Sequence, residues 1–390
     1  MVFRVAMMRL KLLILATPFA CLQSAWAAPL ALGGPFSDHM VLQRDVAARV
    51  WGTGIPGAEV SVALNGLAAL ARVTSEGTWM VILPPSGPTP PGEVWTLEVT
   101  SGDERRTLRD VVCGDVWLCA GQSNMRYTLG RREDNDDPAS RMIFGGDMEK
   151  ATHSKIRFLS VSDGQGRTPP GRKWARCEPT SVVGFSAIGY FFGASLHERT
   201  GVPVGLIDLG KGGQSLRAFL PADIFGRHSR LPELGSGNPE KPSGVVHARD
   251  VRWLAPYTLR GVLWYQGESD ITRADDYPTL LRRMVDCWRS DFRQPELPFF
   301  IVELPGYLGK KNDSADQRKQ AKWRPRFREA QARFVDETPH TTFIKASDLG
   351  EPYEIHPRDK KPLAARLADA AIEAMADGNR GTITPETIHQ

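Results

Sequence analysis

Gly114-Asp115-Val116-Trp117-Leu118-Cys119-Ala120-Gly121-Gln122-Ser123-Asn124-Met125 is the stretch on which the reading of this chain turns. Val116 to Cys119 is an apolar run with β-branched and aromatic members, which suits a strand buried on both faces. Ala120-Gly121 then lets the backbone turn sharply and approach its neighbours closely. Ser123 follows where a helix would begin, among backbone N–H groups able to hold a developing oxyanion. A serine at a strand–helix junction more commonly serves as an N-cap. The rest of the chain has to decide between the two roles.

Downstream, strands alternate with helices. A helix is expected over 185–199, where Phe185, Ile188, Phe192 and Leu196 recur at helical spacing, and a strand over 202–209 leads into Gly212-Gly213. Residues 221–250 read as loop, 259–265 as a strand that ends at Gln266-Gly267-Glu268, and 277–292 as a helix. A strand over 299–304, a helix over 324–334, a strand over 341–346 and a closing helix over 362–375 complete the series. Five strands alternating with helices predict an α/β domain of three layers with a parallel sheet over 111–390. In such sheets ligands gather at the carboxyl ends of the strands, where Ser123, Gly213, Gln266 and the 346–357 loop all fall.

Upstream, 28–110 reads as a small all-β sandwich. Short runs at 46–51, 59–64, 78–83 and 94–99 are separated by Gly- and Pro-rich turns and carry no titratable cluster. Residues 105–112 run into the central stretch without a linker, so the two parts should pack rigidly. Residues 1–27 have the form of a signal peptide: Arg4, Arg9 and Lys11, an apolar core, then Ala25-Trp26-Ala27. Periplasmic or secreted placement follows as an expectation, and no later run is long enough to span a bilayer. Loss of those three cations takes the net charge from +4 to +1, so a nucleic-acid partner gains no support. Export permits disulfides among Cys113, Cys119, Cys177 and Cys287. Cys113 and Cys119 cannot pair with each other, being about 20 Å apart on one extended run. Cys287 falls in the helical pattern and is expected in the core.

A serine nucleophile needs a base and usually an orienting acid. Of the eight histidines, His356 is best placed, in a loop between the last strand and the last helix. Glu354 or Asp348 could accept from its ring. Gly213 and Gln266 could supply donors to an oxyanion. No His-Glu-x-x-His or Cys-x-x-Cys spacing occurs, so neither a metal nor another cofactor is expected. The run 205–212 approximates a phosphate loop, but Gly212 stands where that loop requires a hydroxyl.

These segments, in this order, resemble the sialate O-acetylesterases and related carbohydrate acetylesterases of the SGNH hydrolase superfamily. Gly-Gln-Ser-Asn-Met at 121–125, Trp-Tyr-Gln-Gly-Glu-Ser at 264–269 and Ile355-His356-Pro357 carry the likeness, with 36–44 similar to the start of that family's β-domain. The resemblance implies an SGNH-type fold and an O-acetylated carbohydrate as substrate. It implies Ser123 as nucleophile and His356 as base. The oxyanion hole would be the Ser123 N–H, the Gly213 N–H and Gln266, with Glu268 in the polar network behind. Four positions depart from the family pattern: Glu354 for the usual Asp, Lys211 and Gln214 for the usual Trp and Thr around the Gly pair, and Asp270 for a common Asn. Acetylxylan as substrate, and a carbohydrate-binding protein whose triad has decayed, stand as alternatives.

Overall fold

The computed structural model describes residues 29–130, 144, 146–161, 172–225 and 243–376. The proposed signal peptide, the charge run at 131–137 and most of the 221–250 loop lie outside them. The first strands are β1 (Ala31–Leu32), β2 (Val41–Gln43), β3 (Ala48–Thr53), β4 (Glu59–Leu64), β5 (Leu67–Arg72), β6 (Thr78–Leu83) and β7 (Trp95–Ser101). β1, β3 and β6 form one small sheet, and β5, β4 and β7 lie side by side in another. Alternate residues of β4 and β6 are buried, as expected of strands with one solvated face. β1, β2 and β5 were not expected: the first two are too short to show a period, and β5 (Leu-Ala-Ala-Leu-Ala-Arg) has no polar alternation.

β8 (Glu104–Gly121) carries the chain from one part to the other without a break. Its first half pairs antiparallel with β7, its middle parallel with β2, and its last part parallel with β11 (Val204–Gly210) and β12 (Gly261–Tyr265). The remaining strands are β9 (His153–Ser160), β10 (Trp174–Cys177), β13 (Phe299–Val302) and β14 (Thr341–Ile344). Among the described residues the larger sheet runs β10-β9-β11-β8-β12-β13-β14. The expected all-parallel sheet is therefore a mixed one. β9 joins in parallel and β10 closes the edge antiparallel.

The register sets which helix covers which face. Gly261 lies beside Trp117 and Trp264 beside Ala120, so the two tryptophans point to opposite sides of the sheet. Trp117 packs edge-on against Phe192 of α2 (Ala187–Thr200), and Trp264 edge-on against Trp288 of α3 (Tyr277–Asp291). α4 (Ser314–Asp336) packs on α3, and α5 (Lys361–Ala376) on α2. Helices thus cover both faces of the sheet. α4 begins ten residues before the expected 324, because Asp313 caps it by accepting from the Ala315 and Asp316 N–H groups. Pro325 sits inside the helix rather than at its start.

Ion pairs buried where β8 passes between the two parts join them. Asp115 is held by Arg44 at 3.0 Å and Arg260 at 2.8 Å. Asp110 is held by Arg157, Arg176 and His39 at 3.0, 2.7 and 2.6 Å. Cys113, Cys119, Cys177 and Cys287 are free thiols, and Cys287 is half-buried at the edge of the core rather than within it.

Candidate active site

The turn after β8 dictates the site. Gly121 adopts φ +141°, and a Cβ there would come within 2.1 Å of the Tyr265 carbonyl oxygen. Only glycine fits. The turn is knitted to both neighbouring strands: the Gln122 N–H donates to Tyr265 O at 3.0 Å, and the Lys211 N–H donates to Gly121 O at 2.8 Å. Ser123 then opens the short helix α1 (Ser123–Arg126) with no side-chain cap at that end, so the hydroxyl is not the N-cap that the sequence alone would favour.

His356 arrives from the loop after β14, on the far side of the sheet order. Its Nε2 lies 2.8 Å from Ser123 Oγ. Glu354 Oε1 accepts the His356 backbone N–H at 3.0 Å and lies 3.7 Å from the ring Nδ1. Asp348, the other candidate acid, makes a two-pronged pair with Arg366 at 2.7 and 2.6 Å on the surface, and its carboxyl is thereby lowered to about 2. A hydroxyl, an imidazole and a carboxylate in this sequence can run acyl transfer: the ring takes the hydroxyl proton and the carboxylate steadies the resulting imidazolium.

Gly213, at φ +63°, lies in the turn that follows β11, next to the serine turn. Gln266 is fully buried directly after β12. Its Nε2 donates towards Asp270 Oδ2 at 2.7 Å, Gln122 Oε1 at 3.1 Å and Gln214 O at 3.2 Å, while its Oε1 accepts from the Tyr277 hydroxyl at 3.0 Å. In this state the amide ties the serine turn to the 214–216 segment. Asp270 completes that tie by accepting from Ser215 Oγ and from the Leu216 N–H.

A family described as carbohydrate esterase, sialic acid-specific acetylesterase, matches residues 113–373. The chain belongs to this acetylesterase family. Sialate O-acetylesterases of Homo sapiens and Mus musculus are 33% and 31% identical to it, over 88% and 85% of this chain and 70% of each relative. A carbohydrate acetylesterase of Xanthomonas citri has a TM-score of 0.74 to it at 28% identity, covering 89% of this chain and 75% of that one.

In this acetylesterase Lys211, a departure from the expected pattern, and Glu268, expected in the polar network, both have visible partners. Lys211 turns its ammonium to the buried Asp250 at 3.0 Å, where Arg172 and Arg249 also converge. Burial draws the Lys211 ammonium below its ordinary range and Asp250 works against that. Glu268 accepts from Asn124 Nδ2 at 2.6 Å, and burial raises its carboxyl above the usual range despite that bond. Asn124 and Lys360 were missed in the sequence. Asn124 had a signal, since it follows Ser123 inside the most specific motif. Lys360 had none: Arg358-Asp359-Lys360-Lys361 reads as a solvated charge run, yet Lys360 is 1% exposed.

Proposed function

We propose that this chain is an exported serine esterase that removes O-acetyl groups from a sialic acid-type sugar. The observation that carries the reading is the 2.8 Å contact of Ser123 Oγ with His356 Nε2 at the carboxyl end of the central strand. Membership of the sialic acid-specific acetylesterase family supports the substrate class, and the names of the relatives support it again.

His356 takes the Ser123 proton as the oxygen attacks the acetyl carbonyl carbon. The carbonyl electrons move onto its oxygen, and the Ser123 and Gly213 N–H groups stabilise that charge. Gln266 is the third donor, exchanging its longest contact, to Gln214 O, for the oxyanion. Collapse expels the sugar hydroxyl, which receives the proton from His356. Water, deprotonated by the same ring, then releases acetate and frees Ser123. Glu354 keeps the ring oriented through both halves.

Residues 28–110 serve as an accessory β-sandwich domain that the continuous β8 fixes against an SGNH-type esterase domain at 111–390. Residues 1–27 direct export to the periplasm or beyond. Among the described residues no helix is long and apolar enough to cross a membrane.

The test is acetate release from O-acetyl sialic acid and from acetylated xylan, with wild type and Ser123→Ala. Release from the sialic acid ester that Ser123→Ala abolishes is the expected result. Release from xylan alone would transfer the assignment to a polysaccharide acetylesterase. Glycan binding without acetate release, and without covalent labelling of Ser123 by a fluorophosphonate, would leave a decayed binding protein.

A further inference from the structure

Lys360 is an ammonium almost completely removed from water, four residues beyond His356 and at the threshold of α5. Its Nζ donates to Asn124 Oδ1 at 2.7 Å and stands 4.8 Å from the centre of the Tyr127 ring. Asn124 is itself fully buried, and its Nδ2 donates in two directions: to Ile355 O at 3.0 Å and to Glu268 Oε1 at 2.6 Å. Asn124 follows Ser123 directly, and Ile355 directly precedes His356. A single side-chain amide therefore spans from the residue after the nucleophile to the residue before the base.

That bridge works in one orientation only. The two ends of a primary amide are nearly the same shape, and hydrogen bonding decides which way they face. With the NH₂ end towards Ile355 O and Glu268 the bridge is closed. Reversed, three oxygens would confront one another and the histidine loop would lose its tie. The ammonium of Lys360, which can only donate, faces the oxygen end and forbids the reversal. It also places a positive charge near the Glu268 carboxylate, which burial penalises. A buried lysine is costly unless it is paired, so a polar side chain at 360 facing solvent would have been the cheaper solution for folding alone.

We propose that Lys360 is a positioning residue for the Ser123–His356 pair, acting through Asn124 to hold the histidine loop at attack distance. The proposal rests on the esterase reading of that pair. Displacement of a catalytic group by about 1 Å is enough to cost on the order of 100-fold in rate. Binding of substrate has no direct part in the bridge, so KM should be spared.

The experiment compares wild type, Lys360→Met and Asn124→Ala for hydrolysis of p-nitrophenyl acetate and for the rate of fluorophosphonate labelling at Ser123. The expected result is a fall in kcat of about 100-fold, a KM within about 2-fold, and a parallel fall in labelling. The double variant should be no slower than Asn124→Ala alone, as two residues acting through one contact are not additive. Labelling and kcat retained in a folded Lys360→Met overturn the proposal. If that variant does not fold, wild-type kcat in Asn124→Ala overturns it equally, because the effect is assigned to pass through that amide. A wild type that neither hydrolyses nor labels would instead refute the esterase reading.

Discussion

His356 Nε2 meets Ser123 Oγ at 2.8 Å across 233 positions of sequence. The two belong to opposite ends of the α/β part: one on the turn after its central strand, the other on the loop after its edge strand β14. A pair of this kind acts as a unit. His356→Asn should lower kcat/KM for an acetyl ester by about 10⁴-fold or more, and adding Ser123→Ala should cost little further. Steady-state kinetics of the two single variants and the double variant check this. A double variant slower by the product of the two single losses would show that the residues act separately.

Of the two candidate acids behind the ring, position favours Glu354. Glu354 stands 3.7 Å from Nδ1, beyond a good hydrogen bond, and holds the loop more closely through the His356 backbone N–H. In the proposed mechanism its aid to the imidazolium is thus partly electrostatic. Glu354→Gln should reduce kcat by about 100-fold, less than the 10⁴-fold typical of a tightly bonded triad acid. Asp348→Asn should leave kcat within about 2-fold, since Asp348 is spent on Arg366 at the surface. A larger loss in Asp348→Asn than in Glu354→Gln would reverse the assignment.

How far the fold could be read depended on whether burial was bought with apolar side chains. β12 and the second half of β8 are buried on both faces and were read to within a few residues, whereas the polar first half of β8, Glu104 to Asp110, was not read as strand. β9, His-Ser-Lys-Ile-Arg-Phe-Leu-Ser, was not, because it carries Arg157 into the interior. That charge is tolerable only beside Asp110, a partner 47 positions away that no local pattern announces. The same reason hid Lys360, whose partner Asn124 lies 236 positions upstream. α4 was read short because its first half is almost wholly polar and Pro325 looked like a beginning. Ser123 and His356 were legible because glycine turns and strand ends mark where chemistry gathers. Glu354 and Asp348 could not be separated, since both lie on the right loop and only its path in space distinguishes them.

Gly121 should tolerate no side chain. With φ at +141° and the Tyr265 carbonyl oxygen 2.1 Å from the site of a Cβ, Gly121→Ala must open the β8–β12 pairing at the serine turn. The backbone conformation alone costs about 1–3 kcal/mol for a non-glycine residue, and the clash adds to it. Denaturant unfolding should show a loss of about 3 kcal/mol or more, together with lost labelling of Ser123. A variant of unchanged stability would mean that the turn can adopt another path.

The Asp110 cluster predicts a pH-dependent stability whose sign follows from its partners. Burial works to raise the Asp110 carboxyl, but hydrogen bonds from Arg176 and His39 and the charge of Arg157 overcome it, leaving it below the usual carboxylate range. A carboxyl lowered in the folded state stabilises the fold at pH above its ordinary value, near 3.8, and that stabilisation is lost as pH falls through the lowered value. At pH 7, Asp110→Asn should cost about 3 kcal/mol, chiefly because the Arg157 guanidinium, 1% exposed, is left buried without its carboxylate. His39 and Arg176, each nearly half exposed, add little. Urea titrations at pH 7 and at successively lower pH should show the gap between wild type and variant narrowing as the wild-type carboxyl takes up its proton. A gap that stays constant across that range would mean that Asp110 contributes through its shape and not its charge.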